Sequence, residues 1–372
     1  MPGARYDAAR GGGREPNVKR SPRMMIDPPL GEKVAHLCRP EGYPELPARV
    51  EAIETHMSWV FLTDRFAYKL KKPVRYDRLD FTTLSLRRFY CEEEVRLNRR
   101  LAAAVYVGTL ALTQDDSGAL SLGGAGRPVE WLVQMRRLPE PRRLDHILSR
   151  RVVEREEVTT VAHRLADFYA HAHHVAVTAA DFRARLTEGI REDRRELERP
   201  EFGLPTGRVR AAAANLLDFL EEHGACFEAR VREGRIVEGH GDLRPEHIYL
   251  SAEPAVVDCL EFCRELRELD PLDDLAFLAL ECELLGQPDV GRWFLEIYER
   301  LSGDRLCWPL VRFYRGYRIL RRAKIAAWHL EDPATPDPAR FAAKATRYLE
   351  LAEPAPDLGD CAGSKAPDGS PS

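Results

Sequence analysis

The pattern of apolar and polar positions predicts strands in the first ordered part of the chain. Residues 50–54, 59–62 and 66–71 alternate at the period of two that is typical of half-buried strands. Turn residues separate these segments, which favours an antiparallel meander. Residues 106–113, 119–122 and 129–135 have the same strand character around a glycine-containing loop.

A helix interrupts this strand-rich part. Apolar residues recur at helical spacing from Leu84 to Leu101, and Thr82 or Thr83 is placed to cap the start of the helix. The first part of the chain is therefore predicted to be a small antiparallel sheet with one inserted helix.

The pattern changes after Leu138-Pro139-Glu140-Pro141, where helical periodicity begins to dominate. The helical segments are 144–148, 158–174, 181–197, 209–223, 272–285, 291–301 and 307–330. Short strand-like segments remain at 236–237, 248–250 and 255–257. We predict an α+β fold with two lobes, a small antiparallel β lobe with one helix over 31–138 and a larger helical lobe over 139–354. Residues 1–30 and 355–372 have the composition of disordered tails.

Composition narrows the class of protein. The 372 residues are 44% hydrophobic and 31% charged, and 56 Lys and Arg stand against 60 Asp and Glu, for a net charge of −4. This balance favours a soluble globular protein and gives no reason to expect a nucleic-acid partner. No apolar run approaches the ~20 residues of a membrane helix. The oligomeric state is left open.

The location of the protein in the cell is inferred from the N-terminus and the cysteines. The first residues are rich in Gly and Arg and lack the apolar stretch of a secretion signal, and a translation start at Met24 or Met25 stays open. The eight cysteines are scattered without a C-x-x-C pair, which favours reduced thiols. We therefore expect a cytoplasmic protein.

The segment from 240 to 258 carries the candidate chemistry. Asp242 follows His240-Gly241 on a tight loop, and Asp258 ends the return strand Val256-Val257. Such a pair of carboxylates suits phosphoryl transfer. Asp242 would accept the proton of an attacking hydroxyl, and Asp258 would hold Mg²⁺ against the phosphates of ATP.

The same residues resemble the catalytic core of the aminoglycoside phosphotransferase family. That family has His-Gly-Asp-Leu-x-x-x-Asn followed by a strand that ends in Asp, and the closest likeness is to an uncharacterised bacterial branch sometimes fused to a P-loop kinase domain. The resemblance implies a bilobal protein-kinase-like fold, ATP and Mg²⁺ as cofactors, and a small molecule with a hydroxyl group as acceptor. It assigns the catalytic loop residues Asp242, His240 and Arg244. The acceptor stays open between an aminoglycoside, a metabolic sugar and an amino alcohol.

The resemblance also implies a nucleotide site in the β lobe. Ala67-Tyr68-Lys69 resembles the Ala-x-Lys that contacts the α- and β-phosphates, and Lys71 lies on the same strand face as an alternative. Glu94 is preferred over its two glutamate neighbours as the partner of the lysine. Ser58, in the glycine-poor turn 55–58, is a candidate phosphate contact.

One residue departs from the family pattern. His247 stands where the family has the Asn that binds magnesium, and Mg²⁺ prefers oxygen ligands. Asp258 would then dominate the metal site, with His247 replaced or helped by Glu261 or Glu246. The alternative is a catalytically weak or inactive nucleotide-binding regulator. In Asp270-Pro271-Leu272-Asp273-Asp274, the resemblance makes Asp274 a structural brace of the loop.

Two other groups of charged residues are better explained by structure than by a functional site. One predicted helix carries four ionisable residues on one face: His163, Asp167, His171 and His174. They would suit a transition-metal site, as in a metal-dependent hydrolase, but the apolar residues between them favour an ordinary core helix.

A later predicted helix carries six basic residues: Arg312, Arg315, Arg318, Arg321, Arg322 and Lys324. They would suit an anionic substrate or RNA, but the pattern favours the solvated face of a core helix.

Overall fold

The computed structural model describes residues 27–76, 78–331 and 337–352. The predicted tails therefore lie outside the described residues, apart from residues 27–30. The first helix begins at Leu30. The predicted division of the chain between 138 and 139 stays a prediction.

The strands form one main sheet and three short pairs. They are β1 Glu51–Glu54, β2 Ser58–Leu62, β3 Phe66–Lys71, β4 Arg75–Tyr76, β5 Leu79–Asp80, β6 Tyr106–Gln114, β7 Leu120–Leu122, β8 Arg127–Arg136, β9 Val237–Glu238, β10 Ile248–Tyr249, β11 Ala255–Val256 and β12 Glu268–Leu269. The six-stranded sheet has the order β1-β2-β3-β8-β6-β7, and every neighbouring pair is antiparallel. The predicted meander of the first three strands is confirmed.

The helices make up most of the remaining chain. They are α1 Leu30–Leu37, α2 Leu84–Ala102, α3 Leu144–Leu148, α4 Arg155–His171, α5 Ala179–Leu197, α6 Thr206–Glu222, α7 Gly224–Arg232, α8 Pro271–Leu284, α9 Pro288–Ser302, α10 Trp308–Trp328 and α11 Pro338–Glu350. The predicted α+β class is confirmed, with a small antiparallel sheet and a larger helical part. The sequence analysis missed α1, α7 and α11. Within the described ranges, no helix is both long and apolar enough to cross a membrane.

The alternation along β3 orients the residues of interest. Tyr68 and Leu70 are fully buried in the core on one face of the sheet, with Phe61 of β2 and Leu132 of β8. Residues two apart on a strand share a face. Lys69 and Lys71 therefore lie together on the other face, where both contact α2.

Helix α2 packs on that second face and is capped by Thr83, one of the two residues predicted for this position. The Thr83 side chain accepts a hydrogen bond from the backbone N–H of Leu86 at 3.2 Å, which satisfies a donor of the first turn. Cys91 and Val95 of α2 pack with Val133 of β8. This packing fixes the face of α2 that carries Glu94.

Helix α10 is more buried than expected. The expectation of a solvated basic face is wrong for Arg318 and Lys324, which are each 5% exposed. Lys324 pairs with Asp193 of α5 at 2.5 Å, and Arg318 pairs with Asp273 of α8 at 2.6 and 2.9 Å. These basic residues join helices instead of facing solvent.

Arg230 of α7 holds two buried carboxylates at the base of the helical part. Its guanidinium donates to both oxygens of Asp270 at 2.6 and 2.7 Å and to both oxygens of Asp304 at 2.5 and 2.8 Å. Asp270 is fully buried and also caps the N-terminus of α8. This buried charge network therefore joins α7 to the start of α8 and to the segment after α9.

We predict that Arg230→Met lowers the free energy of unfolding by about 3–5 kcal/mol, because two buried carboxylates would lose their partner. Urea unfolding followed by circular dichroism measures this change. Arg292→Met, at an exposed residue of α9, is the control and is expected to change stability by less than about 0.5 kcal/mol. Equal effects of the two substitutions would contradict the role of Arg230.

Candidate active site

A glycine shapes the loop that presents Asp242. Gly241 has a φ of +86°, in the left-handed region. A Cβ at this position would meet Leu260 Cβ at 3.1 Å and Arg267 Cβ at 3.2 Å. Glycine is therefore required at position 241, between His240 and Asp242, because only glycine adopts this conformation freely in so little space.

Two side chains from the helices hold this loop. Asp274 of α8 accepts hydrogen bonds from the backbone N–H groups of His240 at 2.8 Å and Gly241 at 3.0 Å. Arg318 of α10 donates to the carbonyl oxygen of Gly241 at 2.9 Å. The Asp274 side chain is thus a brace of the loop, as the sequence resemblance implied.

His240 lies beneath the loop and is fully buried. Its Nε2 is 3.0 Å from the carbonyl oxygen of Val257, and its Nδ1 accepts the backbone N–H of Asp242 at 3.2 Å. Because Val257 offers only an acceptor, Nε2 carries the proton. His240 therefore connects the Asp242 loop to the strand that leads to Asp258.

Arg244 lies across the carboxylate of Asp242. The Nε of Arg244 donates to Asp242 Oδ2 at 3.1 Å, and another guanidinium N–H contacts Glu246 Oε1 at 3.4 Å. Burial alone would raise the pKa of Asp242, but the positive charge of Arg244 outweighs burial and holds that pKa well below its usual value. Asp242 is therefore ionised at neutral pH, as a proton acceptor must be.

The hydrogen bonds of His247 fix its tautomer. Arg244 donates to Nε2 of His247 at 3.1 Å, so Nε2 is an acceptor. Nδ1 then carries the proton and donates to the carbonyl oxygen of Asp242 at 2.8 Å. Burial and the positive charge of Arg244 lower the pKa of His247, which agrees with a neutral ring. In this arrangement the lone pair of Nε2 is occupied by Arg244.

Asp258 has an unusual backbone and a partly open side chain. Its φ of +64° lies in the left-handed region, and its side chain is 43% exposed. Oδ1 accepts from Lys69 Nζ at 2.7 Å, while Oδ2 lies 3.5 Å from His247 Nε2. Sparsely populated backbone conformations cluster at functional sites, where the surroundings maintain them.

Two residues that the sequence analysis missed support Asp258. Its backbone N–H donates to the hydroxyl oxygen of Tyr106 at 3.2 Å. The next N–H, of Cys259, donates to Asn98 Oδ1 at 2.9 Å. Asn98 lies one helical turn after Glu94, so the helical period could have placed it on the same face.

Glu94 is shared by both lysines of β3. Its Oε1 accepts from Lys69 at 3.0 Å and its Oε2 accepts from Lys71 at 2.6 Å, and Glu94 is fully buried. Lys71 is also fully buried and forms a second ion pair with Glu261. Burial alone would lower the pKa of Lys69, but Asp258 and Glu94 raise it well above its usual value. Lys69 faces Asp258, whereas Lys71 is enclosed between Glu94 and Glu261.

Ser58 begins β2 directly after the turn 55–58 and is paired with Lys71 in the β2–β3 register. The turn is closed by Thr55, whose hydroxyl oxygen accepts the backbone N–H of Ser58 at 3.0 Å. His56 at the tip stacks on Tyr76 with ring centroids 4.7 Å apart and meets His329, after α10, at 5.6 Å. The turn thus contacts the helical part of the molecule.

The predicted metal ligands are not equivalent in the structure. Across the described part of the chain, no group of three or more His, Cys, Asp or Glu side chains is arranged to hold a metal. Glu261 is engaged by Lys71 and His247 by Arg244, which leaves Asp258 with a partly exposed carboxylate in the cleft between Lys69 of β3 and the Asp242 loop. The assignment of Asp258, His247 and Glu261 to a metal stays a prediction. Mg²⁺ is commonly held by one or two carboxylates together with substrate phosphates, and Asp258 fits that pattern.

The histidine helix does not gather its side chains into a site. Helix α4 ends at His171, so His174 lies beyond it. His163, Asp167, His171 and His174 are all exposed. The alternative of a metal-dependent hydrolase built on this helix has no support in the described residues.

Solved structures give the class of fold. The GDP complex of wild-type aminoglycoside 2′-phosphotransferase-IIIa matches with a TM-score of 0.51 and 13% identity, covering 86% of this chain and 96% of that chain. Choline kinase from Cryptosporidium parvum Iowa II matches with a TM-score of 0.50 and 12% identity, covering 86% and 94%. The chain has the protein-kinase-like fold of aminoglycoside phosphotransferases and choline kinases. The resemblance inferred from the sequence is confirmed at the level of the fold.

Sequence relatives are found in mycobacteria. Uncharacterised proteins of Mycobacterium tuberculosis H37Rv and Mycobacterium bovis are each 35% identical over 309 residues. The alignment covers 82% of this chain and 60% of each relative, so the chain spans about three fifths of the length of the curated relatives it matches. No protein-family model matches the chain.

We predict that Asp258 stabilises the fold in a pH-dependent manner. Burial alone would raise its pKa, but the ammonium of Lys69 holds it well below the value of about 3.9 for an unfolded Asp. The contribution is therefore complete above about pH 5 and is lost as the pH falls towards the lower folded pKa. Asn tolerates the left-handed backbone, so Asp258→Asn isolates the charge.

Urea unfolding at pH 6 and pH 3 measures this effect. Asp258→Asn is expected to cost more stability at pH 6 than at pH 3, whereas Asp289→Asn on the surface of α9 is expected to change by less than about 0.5 kcal/mol at both. A destabilisation by Asp258→Asn that is the same at both pH values would contradict the prediction.

Proposed function

We propose that this protein is an ATP- and Mg²⁺-dependent phosphotransferase that acts on a hydroxyl group of a small molecule. The observation that carries the proposal is the position of Lys69. Its Nζ lies 3.0 Å from Glu94 Oε1 and 2.7 Å from Asp258 Oδ1, and Asp258 Oδ2 is 3.5 Å from His247, whose Nδ1 donates to the backbone of Asp242. A phosphate clamp, its glutamate and two aspartates are the parts that phosphoryl transfer requires.

Each residue has a distinct part in the proposal. Lys69, oriented by Glu94, would bind nucleotide phosphates, and the exposed carboxylate of Asp258 would hold Mg²⁺. ATP would supply the phosphoryl group when bound. Asp242 would orient the acceptor hydroxyl and take its proton, because its carboxylate is ionised and 25% exposed at the cleft.

The known structures with this fold support the same chemistry. The aminoglycoside 2′-phosphotransferase was solved with GDP, and the parasite protein is a choline kinase. Both names describe phosphoryl transfer to small molecules. The choice of ATP over GTP is part of our proposal.

We predict that Asp242→Asn lowers kcat by about 10²–10⁴-fold, the usual contribution of general-base catalysis. The measurement is ADP release from ATP in the presence of a library of hydroxyl compounds. The KM for ATP is expected to change by less than about threefold, because Asp242 contacts the acceptor and not the nucleotide in this mechanism.

A second candidate is a nucleotide-binding regulator with little or no turnover. The observation that favours it is Arg244, which occupies both Asp242 Oδ2 and His247 Nε2. If wild type and Asp242→Asn are equally inert with the whole library while ATP raises the melting temperature of both, the enzyme proposal fails and the regulator stands.

We predict that the two lysines of β3 separate by function. Lys69→Met is expected to raise the KM for ATP by about tenfold or more and to cost less stability than Lys71→Met, because Asp258 is partly open and Glu94 keeps Lys71 as a partner. Lys71→Met is expected to lower the free energy of unfolding by about 3–5 kcal/mol, since it leaves Glu94 and Glu261 without their shared buried cation.

ATP titrations and urea unfolding of the two variants test this separation. Glu261→Gln is the companion variant, because it removes the second partner of Lys71 and leaves both contacts of Lys69 in place. A stable Lys71→Met protein with impaired ATP binding would instead assign the phosphate contact to Lys71.

A further inference from the structure

A second set of charged side chains lies beside Asp242 on the helical side of the cleft. Arg244 and Glu246 belong to the catalytic loop, Glu281 to α8, Arg322 to α10 and Lys344 to α11. Arg318, one turn before Arg322 on α10, donates to the carbonyl oxygen of Gly241 at 2.9 Å, which places this face of α10 beside Asp242. Arg322 lowers the pKa of Asp242, and Lys344 interacts electrostatically with the other four. These residues have no part in the nucleotide site described above.

Arg322 has no close carboxylate partner, although its guanidinium lies over the Phe277 ring at 5.6 Å from the centroid and its Nε is 3.5 Å from the hydroxyl oxygen of Tyr348. Its side chain is 12% exposed, and the closest carboxylate oxygen among the described residues is Glu281 Oε1 at 3.7 Å. That oxygen already accepts the hydroxyl of Tyr348 at 2.6 Å. Arg318, one helical turn earlier, has a bidentate partner at 2.6 and 2.9 Å. A sheltered guanidinium without such a partner favours an incoming anion, because it matches carboxylate and phosphate geometry.

Lys344 and Glu246 add two incomplete groups to the same place. Lys344 is exposed, forms no ion pair with a carboxylate among the described residues, and interacts electrostatically with Arg322, Glu281 and Glu246. Glu246 Oε2 is buried and has no hydrogen-bond partner among the described residues. Buried polar atoms are normally satisfied, so this oxygen indicates a missing donor.

Most of the acidic residues that would attract a polycation are already paired inside the protein. Of the acidic residues that follow Asp258, Glu261 pairs with Lys71, Glu268 with Arg264 and Arg185, and Asp270 with Arg230, whereas Glu265 is exposed. In the cluster around Asp242, with Asp242 included, three carboxylates stand next to three cations. The cleft therefore has no excess of negative charge with which to hold a molecule such as an aminoglycoside.

We propose that the acceptor carries an anionic group, a carboxylate or a phosphate, which Arg322 and Lys344 bind next to Asp242. Glu246 Oε2 accepts a hydrogen bond from a hydroxyl or amine of the same molecule. This inference rests on the proposed phosphotransferase function and names its class of substrate. It places the anionic group on the α10–α11 side of the hydroxyl that Asp242 orients.

The test uses the full chain with ATP and Mg²⁺ and a panel of hydroxyl compounds. D-glycerate and L-homoserine carry a carboxylate, glycerol 3-phosphate carries a phosphate, and choline and kanamycin are cations. We expect ADP release with at least one anionic compound and none with the cations at equal concentration. The compound that reacts distinguishes a carboxylate from a phosphate site.

The variants then test the residues. Arg322→Gln is expected to raise the KM for that acceptor by about tenfold or more, as for loss of a charge-assisted hydrogen bond, while the KM for ATP stays within about twofold. Lys344→Gln, at an exposed position that does not endanger folding, is expected to act in the same direction. Arg292→Gln on α9 removes an equal charge elsewhere and is expected to change neither constant.

The outcomes separate this inference from the proposed function. ADP release with choline or kanamycin but with none of the anionic compounds overturns the inference and leaves the phosphotransferase intact. If no compound reacts, thermal shifts of the ADP-bound protein decide. Stabilisation by an anionic compound that Arg322→Gln abolishes supports the inference, and its absence overturns it. Loss of ATP binding itself would count against the proposed function.

Discussion

The site depends on one buried carboxylate that two cations share. Glu94 contacts Lys69 with one oxygen and Lys71 with the other, and each lysine then reaches a second carboxylate beyond the sheet, Asp258 or Glu261. Desolvating so many charges is costly unless every one is paired. The pairing therefore fixes α2, β3 and the segment after β11 in one relative arrangement.

This arrangement gives the two lysines different environments although they lie on the same strand face. Lys71 is enclosed on both sides, so its positive charge neutralises the buried carboxylates of Glu94 and Glu261. Lys69 faces a carboxylate that is 43% exposed, so its charge is available at the cleft. An isolated lysine would lose side-chain freedom when nucleotide phosphates bound to it. Lys69 is already oriented by Glu94, which reduces this entropic cost of nucleotide binding in the proposed function.

Much of the fold and part of the site could be predicted from the sequence. The alternation of β3 fixed the face of Lys69 and Lys71, and Gly241 before Asp242 indicated a tight loop, because these depend on neighbouring residues. The partner of Glu261, the burial of Arg318 and the contact of Asn98 with Cys259 could not be derived in this way. They join residues far apart in the chain, and local periodicity contains no information about which distant side chains meet. Helix α11 was missed although Phe341, Ala345 and Tyr348 are spaced for a helix.

Arg244 connects the two halves of the cleft. It donates to Asp242, Glu246 and His247, so the carboxylate that would accept a proton is held by a cation. The anionic group of an acceptor would compete with Asp242 for Arg244. Asp242 would then be free to bind the hydroxyl of the same acceptor. A cationic acceptor would instead compete with Arg244 for the carboxylates and add repulsion from Arg322. Arg244, which holds the carboxylate of Asp242, thus favours an anionic acceptor over a cationic one.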